Sequence, residues 1–309
     1  MKKHICIVTP TYNEAENITE LCEKIAAVMS LLPYDYDHIC IDNRSTDKTV
    51  NILKSIAKRD RRLKIIVNAR NFGYIRSSFY GVLQSAGDAT ILMASDLQDP
   101  PEIIPELLER WEAGFKSVLA VKPNSEESIL MRGTRKLFYK AIGTISEVPL
   151  IQNATGSGLF DRQVVDILRD LDDPYPYFRG LVCEIGLPIA TVPFRQPRRR
   201  RGVTSQNLYS HYDMAMLGIT KHSKVPLRIM TFSGFILAAI SLLVALGYLV
   251  AKLMFWNSFV LGTAPLLVGM FLFIAMQMLF IGLLGEYIGT IQTHVRKLPL
   301  IIEAERINC

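Results

Sequence analysis

Polar residues in segment 91–102 have the types and spacing of a ligand set for a divalent cation. A short apolar run at 91–93 is followed by Asp96, Gln98 and Asp99, and two prolines then end regular structure. Hard cations such as Mg²⁺ or Mn²⁺ prefer oxygen ligands and leave positions open for substrate phosphates. The segment therefore predicts a cation held by Asp96 and Gln98, with Asp96 and Asp99 as catalytic candidates. The alternative interpretation is an acidic turn that caps the next helix.

The elements that must position these residues follow a regular alternation. Short runs rich in β-branched residues predict strands, and each is followed by a segment with helical spacing of apolar residues. Strands that alternate with helices are typical of βαβ units around a mostly parallel sheet, so we expect an α/β domain. The predicted strands are residues 4–9, 38–41, 63–67, 91–93 and 190–195.

Polar clusters follow the carboxyl ends of the first three strands as well. Because parallel strands end at the same sheet edge, these clusters should converge on one crevice, which suits a nucleotide diphosphate and its metal. A Gly-x-Gly-x-x-Gly pattern does not follow the first strand, which argues against a nicotinamide or flavin cofactor. The candidate nucleotide-binding residues are Pro10, Tyr12, Asn13, Glu14, Asp42 and Asn71.

Two long uncharged runs near the carboxyl end predict a pair of membrane-spanning helices. Residues 229–251 and 253–285 lack charge, and each can supply the ~20 apolar residues that a span needs. A buried core hairpin is the alternative interpretation. Basic residues flank the pair, whereas the connection contains only Lys252, so the positive-inside rule predicts that both termini are cytoplasmic. The flanking residues are Lys221, Lys224, Arg228, Arg296 and Lys297.

The chain has 309 residues and a net charge of +6. Its densest basic run, 198–201, lies shortly before the first span, so we expect anionic headgroups or a phosphorylated lipid as partner. We expect no nucleic-acid partner, because no aromatic interleaving or groove-reading motif accompanies the basic run. The five cysteines show no metal-ligand spacing, and on the sequence they receive no chemical role.

Seven short motifs together resemble the family-2 glycosyltransferases. The resemblance is to the branch that includes dolichyl-phosphate mannose synthase and bacterial polyprenyl-phosphate glucosyltransferases. It covers nearly the whole chain and implies a GT-A fold, a nucleotide-sugar donor and a polyprenyl-phosphate acceptor. The motifs are TPTYNE at 9–14, DNRSTD at 42–47, RNFG at 70–73, DLQDPP at 96–101, RKLFY at 135–139, RGL at 179–181 and LGEYIG at 284–289.

The resemblance implies roles for four further residues. Arg132 and Arg135 would bind the acceptor phosphate, for which the planar arginine fork is suited. Arg201 and Ser205 would lie beside the donor diphosphate, in a basic Arg-x-x-Gly-x-Ser-like loop. Alternative interpretations are an ordinary solvated helix face for the first pair and juxtamembrane anchoring for the basic run.

Two positions depart from the family pattern. Ala94 replaces the first aspartate of the metal motif, and residues 155–158 replace a Gly-Asp-Phe-Arg segment whose aspartate is proposed as catalytic base. One or two carboxylates suffice for Mg²⁺ when substrate phosphates complete its shell. A lipid phosphate has a second pKa near ~6 and can attack without losing a proton, so the missing base favours a phosphate acceptor. Asp161 is expected to cap a helix rather than to act in catalysis.

These observations predict an α/β GT-A domain followed by a two-helix transmembrane hairpin. The expected function is inverting transfer of a hexose from a nucleotide sugar, UDP-linked, to a polyprenyl phosphate on the cytoplasmic leaflet, by a homo-oligomer. Two alternatives stay open: transfer to a hydroxyl of a lipid-linked saccharide, and a non-catalytic nucleotide-binding membrane scaffold. The predicted division is 1–206 for the catalytic domain, 207–228 for an interfacial helix, 229–285 for the spans and 286–309 for a cytoplasmic tail.

Overall fold

The structure is a computed structural model that gives the positions of most of the chain. It describes residues 2–122, 151, 153–195, 197, 216–217, 220, 225–254, 263–296 and 298–309.

Eight strands of the described residues form one mixed sheet. Its strand order is β7-β5-β6-β4-β1-β2-β3-β8. Neighbours among β4, β1, β2 and β3 are parallel, as are β5 and β7, whereas β6 runs antiparallel to both β4 and β5, and β8 antiparallel to β3. The predicted mixed, mostly parallel α/β sheet is confirmed. The strands are β1 His4–Thr11, β2 Asp35–Asp42, β3 Leu63–Asn68, β4 Ala89–Leu92, β5 Ser117–Val121, β6 Ala154–Asp161, β7 Ile189–Pro193 and β8 Glu303–Ile307.

Helices cover both faces of this sheet because side chains alternate along each strand. On β1, Ile5 and Ile7 join the core cluster that contains residues of α1, α2 and α4, while Cys6 and Val8 join the cluster that contains α3, α5 and α6. The helices are α1 Ile18–Ser30, α2 Thr49–Ala57, α3 Tyr74–Leu83, α4 Ile104–Glu112, α5 Arg162–Asp170, α6 Phe178–Glu184, α7 Val225–Met254 and α8 Thr263–Val295, with a short 3₁₀ helix at Pro101–Ile103.

The first turns of two helices are bonded to an aspartate that precedes them. One of these is helix α2. It begins at Thr49, whose backbone N–H donates to Asp47 Oδ1 over 2.9 Å, while the Ser45 hydroxyl is engaged by Asp42. At α5 the expected cap is confirmed, because Asp161 accepts from the backbone N–H of Gln163.

Helices α7 and α8 are long and apolar enough to cross a membrane. Their candidate spans are Val225–Val244 and Leu272–Thr293, and large apolar side chains such as Phe235, 70% exposed, point away from the protein. Residues 255–262, between these two helices, lie outside the described residues. The Thr290 hydroxyl of α8 donates to the Thr220 hydroxyl over 3.2 Å, which links α8 to the segment that precedes α7.

The predicted tail contributes to the sheet, which the sequence analysis did not foresee. After α8 the chain returns to the catalytic domain, and β8 pairs with β3 at the sheet edge. Glu303 accepts a hydrogen bond from the Tyr80 hydroxyl over 2.7 Å and forms an ion pair with Arg306. Glu305 pairs with Lys54 at 2.7 Å on a more exposed surface. The last strand therefore belongs structurally to the first domain.

Replacing Glu303 by glutamine should destabilise the domain more than the same change at Glu305. The Glu303 carboxylate is less exposed and accepts from both Tyr80 and Arg306, so we expect Glu303→Gln to cost roughly 1 kcal/mol. The matched control Glu305→Gln should stay within about 0.5 kcal/mol, because its ion pair is exposed. Urea unfolding in detergent measures both values, and equal losses would contradict this description of β8.

Candidate active site

The carboxyl ends of β1 and β2 lie side by side and begin the candidate site. Thr11 and Asp42 are partners at the last position of the two strands, and the Asn43 backbone N–H donates to the Thr11 carbonyl over 2.8 Å. Pro10 is buried in β1 opposite Ile41. Parallel register thus places the first two polar clusters at one edge, as expected.

Asp42 is completely buried at this edge. Its Oδ1 accepts from the backbone N–H of Ser45 at 2.8 Å, and its Oδ2 accepts from the hydroxyls of Ser45 and Thr11. Burial raises the pKa of Asp42, and the hydrogen bonds from Ser45 and Thr11 oppose that rise. The carboxylate is therefore held in one orientation before any ligand binds.

The loop after β1 is bonded directly to the loop after β2. Asn13 adopts a left-handed conformation with φ 55°, its backbone N–H donates to the Ser45 hydroxyl, and its side-chain oxygen accepts from the Thr46 backbone at 2.8 Å. The Glu14 backbone N–H donates to the Thr49 hydroxyl, and the Glu14 carboxylate accepts from Asn17. Asn13 and Glu14 thus shape the loop.

Tyr12 in the same loop has 38% of its surface exposed. Its side chain is therefore partly accessible. Exposed aromatic rings can stack on nucleotide bases.

Three asparagines join the end of β2 to the end of β3. Asn71 Oδ1 accepts from Asn43 Nδ2 at 2.8 Å and from the backbone N–H of Gly73. Asn43 Oδ1 in turn accepts from Asn68 Nδ2 at 3.0 Å and from the Phe72 backbone at 2.9 Å. Sequence reasoning named Asn71 but missed Asn43 and Asn68, whose positions at the ends of two adjacent predicted strands were the available signal.

The acidic loop after β4 has one partly exposed acid and one buried acid. Asp96 is half-buried and accepts from the Gln98 backbone at 3.1 Å, across a left-handed Leu97 with φ 59°. Asp99 is only 3% exposed and accepts from the Ser157 hydroxyl of β6. Burial raises the pKa of Asp99, the Ser157 hydrogen bond opposes that rise, and the Asp96 charge adds to it.

The donor set of this loop fits a hard divalent cation. Asp96 and Gln98 are both partly exposed, and they present a carboxylate and an amide oxygen at the same sheet edge as Asp42. Oxygen donors of this kind suit Mg²⁺ or Mn²⁺. Asp99 faces Ser157 instead, so its carboxylate connects the acidic loop to β6.

Arg179, at the start of α6, is a charged residue to which the sequence analysis gave no role. Its Nη2 donates to the Thr155 carbonyl at 2.6 Å, and its positive charge acts against the rise that burial causes in the pKa of Asp99. A Cβ at Gly156 would approach the Arg179 Nε to 3.3 Å, and Gly156 has φ 96°. Glycine at position 156, one of the residues that depart from the family pattern, thus leaves room for the Arg179 guanidinium. The available signal was the RGL motif at 179–181.

Four predicted site residues cannot be placed at this edge. Arg132, Arg135, Arg201 and Ser205 lie outside the described residues. Their assignments stay predictions.

Comparison with known proteins identifies the family. The profile described as "Glycosyl transferase family 2" matches residues 6–164, just over half of the chain. The chain belongs to glycosyl transferase family 2. This membership makes it a glycosyltransferase and confirms the resemblance drawn from the motifs.

Relatives of this family-2 glycosyltransferase match over almost its full length. An uncharacterized glycosyltransferase of Synechocystis sp. is 32% identical over 306 residues, covering 99% of this chain and 96% of the relative. A prophage-derived bactoprenol glucosyl transferase of Shigella flexneri is 33% identical over 299 residues, covering 96% of each chain.

Solved structures resemble this glycosyltransferase at lower identity. Glucosyl-3-phosphoglycerate synthase from Mycobacterium tuberculosis, in complex with Mn²⁺, UDP and phosphoglyceric acid, is 18% identical with a TM-score of 0.48, covering 71% of this chain and 76% of that one. A mannosyltransferase from Pyrobaculum calidifontis, in complex with GDP-Man and Mn²⁺, is 15% identical with a TM-score of 0.48, covering 96% and 88%.

Asp42→Asn should gain stability relative to the native glycosyltransferase as pH rises. A raised pKa means that the folded state binds the proton more tightly than the unfolded chain, so ionisation of Asp42 costs stability. This cost is absent below the ordinary value of 3.8 and is complete above the raised folded-state pKa. Urea unfolding between about pH 3 and pH 7 should therefore show a difference that grows with pH.

The matched control for this prediction is Asp47→Asn, for which we expect the opposite trend. Burial acts to raise the pKa of Asp47, but hydrogen bonds from Thr49 and Ala15 outweigh it and lower the pKa. The Asp47 carboxylate therefore stabilises the fold above pH 3.8, and this stabilisation disappears as pH falls through the lowered value. Parallel pH trends for the two variants would contradict the assignment.

Proposed function

We propose that this family-2 glycosyltransferase transfers a hexose from a UDP-linked sugar to the phosphate of a polyprenol. The observation that carries the proposal is the joint presence of a polar sheet edge and two helices able to cross a membrane. That edge carries the partly exposed Asp96 and Gln98 after β4 and the buried Asp42 at the end of β2, with β1 between them. The name of the Shigella relative, a bactoprenol glucosyl transferase, supports the same acceptor class.

The donor nucleotide is assigned to the ends of β1, β2 and β3. Asp42 is oriented by Ser45 and Thr11, and a carboxylate oxygen carries enough lone pairs to accept a further hydrogen bond from a base or ribose. Tyr12 offers its exposed ring to the base, and Pro10 and Asn71 border the same edge. Asn13 and Glu14 contribute by fixing the loop that carries Tyr12.

The catalytic cation is assigned to Asp96 and Gln98. When bound, a divalent cation neutralises charge on the leaving diphosphate. The Asp96 carboxylate accepts from the Gln98 backbone N–H, so its orientation is restricted before a cation binds. We propose that Asp99 acts as a positioning residue, since its bond to Ser157 attaches the acidic loop to β6.

The acceptor phosphate needs no catalytic base. A phosphate monoester with a second pKa near ~6 is largely dianionic at neutral pH, so one of its oxygens can attack the anomeric carbon directly. The new carbon–oxygen bond forms as the bond from the anomeric carbon to the diphosphate breaks, and UDP leaves. Attack from the face opposite to the leaving group inverts the configuration. Arg132 and Arg135 are proposed to bind the acceptor phosphate, and Arg201 and Ser205 the donor diphosphate.

The membrane arrangement completes the proposal. Helices α7 and α8 would hold the crevice near the bilayer, where a long isoprenoid presents its head group. The charges flanking the two runs favour cytoplasmic termini. The exposed apolar faces of these helices would contact lipid and, in a homo-oligomer, neighbouring copies.

Transfer assays with the full-length protein should give a labelled lipid phosphate. We expect label from a UDP-hexose to enter polyprenyl phosphate in the presence of Mg²⁺ or Mn²⁺, in a product that is labile to acid and stable to alkali. Label found only in a lipid-linked saccharide would support transfer to a hydroxyl, which would require a base such as Asp99. Nucleotide binding without any transfer would support the non-catalytic scaffold.

Replacing Asp96 by asparagine should remove transfer while the fold persists. Loss of the cation-binding carboxylate should lower the rate by at least about a hundredfold, because charge on the leaving diphosphate is no longer offset. The matched control Asp172→Asn makes the same charge change at an exposed residue. Asp172 has a left-handed backbone conformation, which asparagine tolerates, so this variant should fold and keep normal turnover. Turnover near normal in Asp96→Asn would exclude Asp96 from the mechanism.

A further inference from the structure

Three residues that the catalytic proposal does not use meet beneath the sheet, between α1 and β2. Cys22 lies on α1, and His38 and Cys40 lie two residues apart on β2, so they point to the same face of the sheet. Their exposed fractions are 9%, 4% and 0%, and their two sulfurs and one imidazole nitrogen all lie within 4.8 Å of one another. This cluster, Cys22-His38-Cys40, is the group considered below.

One separation within the cluster matches that around a tetrahedral metal ion, and the other two are at most 4.8 Å. With metal–sulfur bonds of about 2.3 Å and metal–nitrogen bonds of about 2.0 Å, neighbouring ligand atoms stand roughly 3.5 Å apart. The Cys40 Sγ lies 3.5 Å from His38 Nε2, so this pair already has the required separation. The Thr9 hydroxyl oxygen lies 3.0 Å from the same nitrogen and adds an oxygen beside the cluster.

Charge balance also favours a divalent ion at this place. Two thiolates and a neutral imidazole carry a charge of −2, so a doubly charged cation gives a neutral group, which lowers the cost of burial in an apolar core.

We propose that Cys22, His38 and Cys40 bind a thiophilic divalent cation of the Zn²⁺ class. Soft thiolate ligands select such ions over Mg²⁺ and Mn²⁺, so this site is chemically distinct from the hard-oxygen site at Asp96. Binding releases the thiol protons that Cys22 and Cys40 carry and forms two sulfur bonds and one nitrogen bond. The ion would fasten α1 to β2, the strand that ends in Asp42. Its role is therefore structural and does not depend on the transfer reaction.

Cobalt substitution of the full-length protein, purified in detergent under reducing conditions, tests the proposal. We expect one equivalent of Co²⁺ to give the strong near-ultraviolet absorption of cobalt–thiolate bonds, and Zn²⁺ to displace it. Either ion should raise the melting temperature by several degrees, since it binds only the folded state. The absorption should persist in Asp96→Asn, which separates this site from the catalytic cation.

Matched cysteine variants make the assignment specific. Cys22→Ala and Cys40→Ala should each remove most of the cobalt–thiolate absorption. Cys6→Ala and Cys183→Ala, which remove buried thiols outside the cluster, should retain it. If a cluster variant fails to fold, X-ray absorption of the loaded wild-type protein should show two sulfur ligands and one imidazole. Absence of thiolate absorption in the wild type, its persistence in both cluster variants, or a Cys22–Cys40 disulfide in the purified protein would overturn the proposal.

Discussion

Parallel pairing of β4, β1, β2 and β3 is the constraint on which the rest of the structure depends. Because these four strands run in one direction, their carboxyl ends share an edge, and every loop that leaves them starts there. The register of β1 with β2 places Thr11 beside Asp42, and the acidic loop begins on the other side of β1. An edge at which several polar loops come together therefore follows from strand direction before any individual side chain is considered.

Most polar residues at this edge have partners within the protein. Asp42 accepts from Ser45 and Thr11, Asn71 from Asn43, and Asp99 from Ser157. Such bonds fix the loops in one shape, so less conformational freedom is lost when a ligand binds. The energetic cost appears in the buried acids, whose pKa values rise because burial disfavours their charged forms. The free-energy cost of ordering these loops and burying these acids therefore arises during folding and not when a ligand binds.

Sequence reasoning predicted what depends on local pattern and missed what depends on contacts between distant segments. Alternation and helical spacing located β1 to β4 and their helices, and strand-end polarity located Asp42 and Asp96. The RGL motif pointed to Arg179, but the contacts of its guanidinium with Thr155 and Gly156 could not be predicted, because β6 brings these residues to it only in the folded domain. The Cys22-His38-Cys40 cluster has no linear metal-ligand spacing, since its members come from a helix and a strand that meet only in the folded domain.

Pairing of β8 with β3 has a mechanical consequence. The apolar helices leave the domain after β7 and return to it through β8, so they form a loop anchored at both ends. A domain held by one linker could swivel freely about that linker, whereas two attachments on opposite edges of the same sheet restrict rotation. In the proposed membrane arrangement, chain connectivity would therefore restrict the angle between the polar sheet edge and the bilayer.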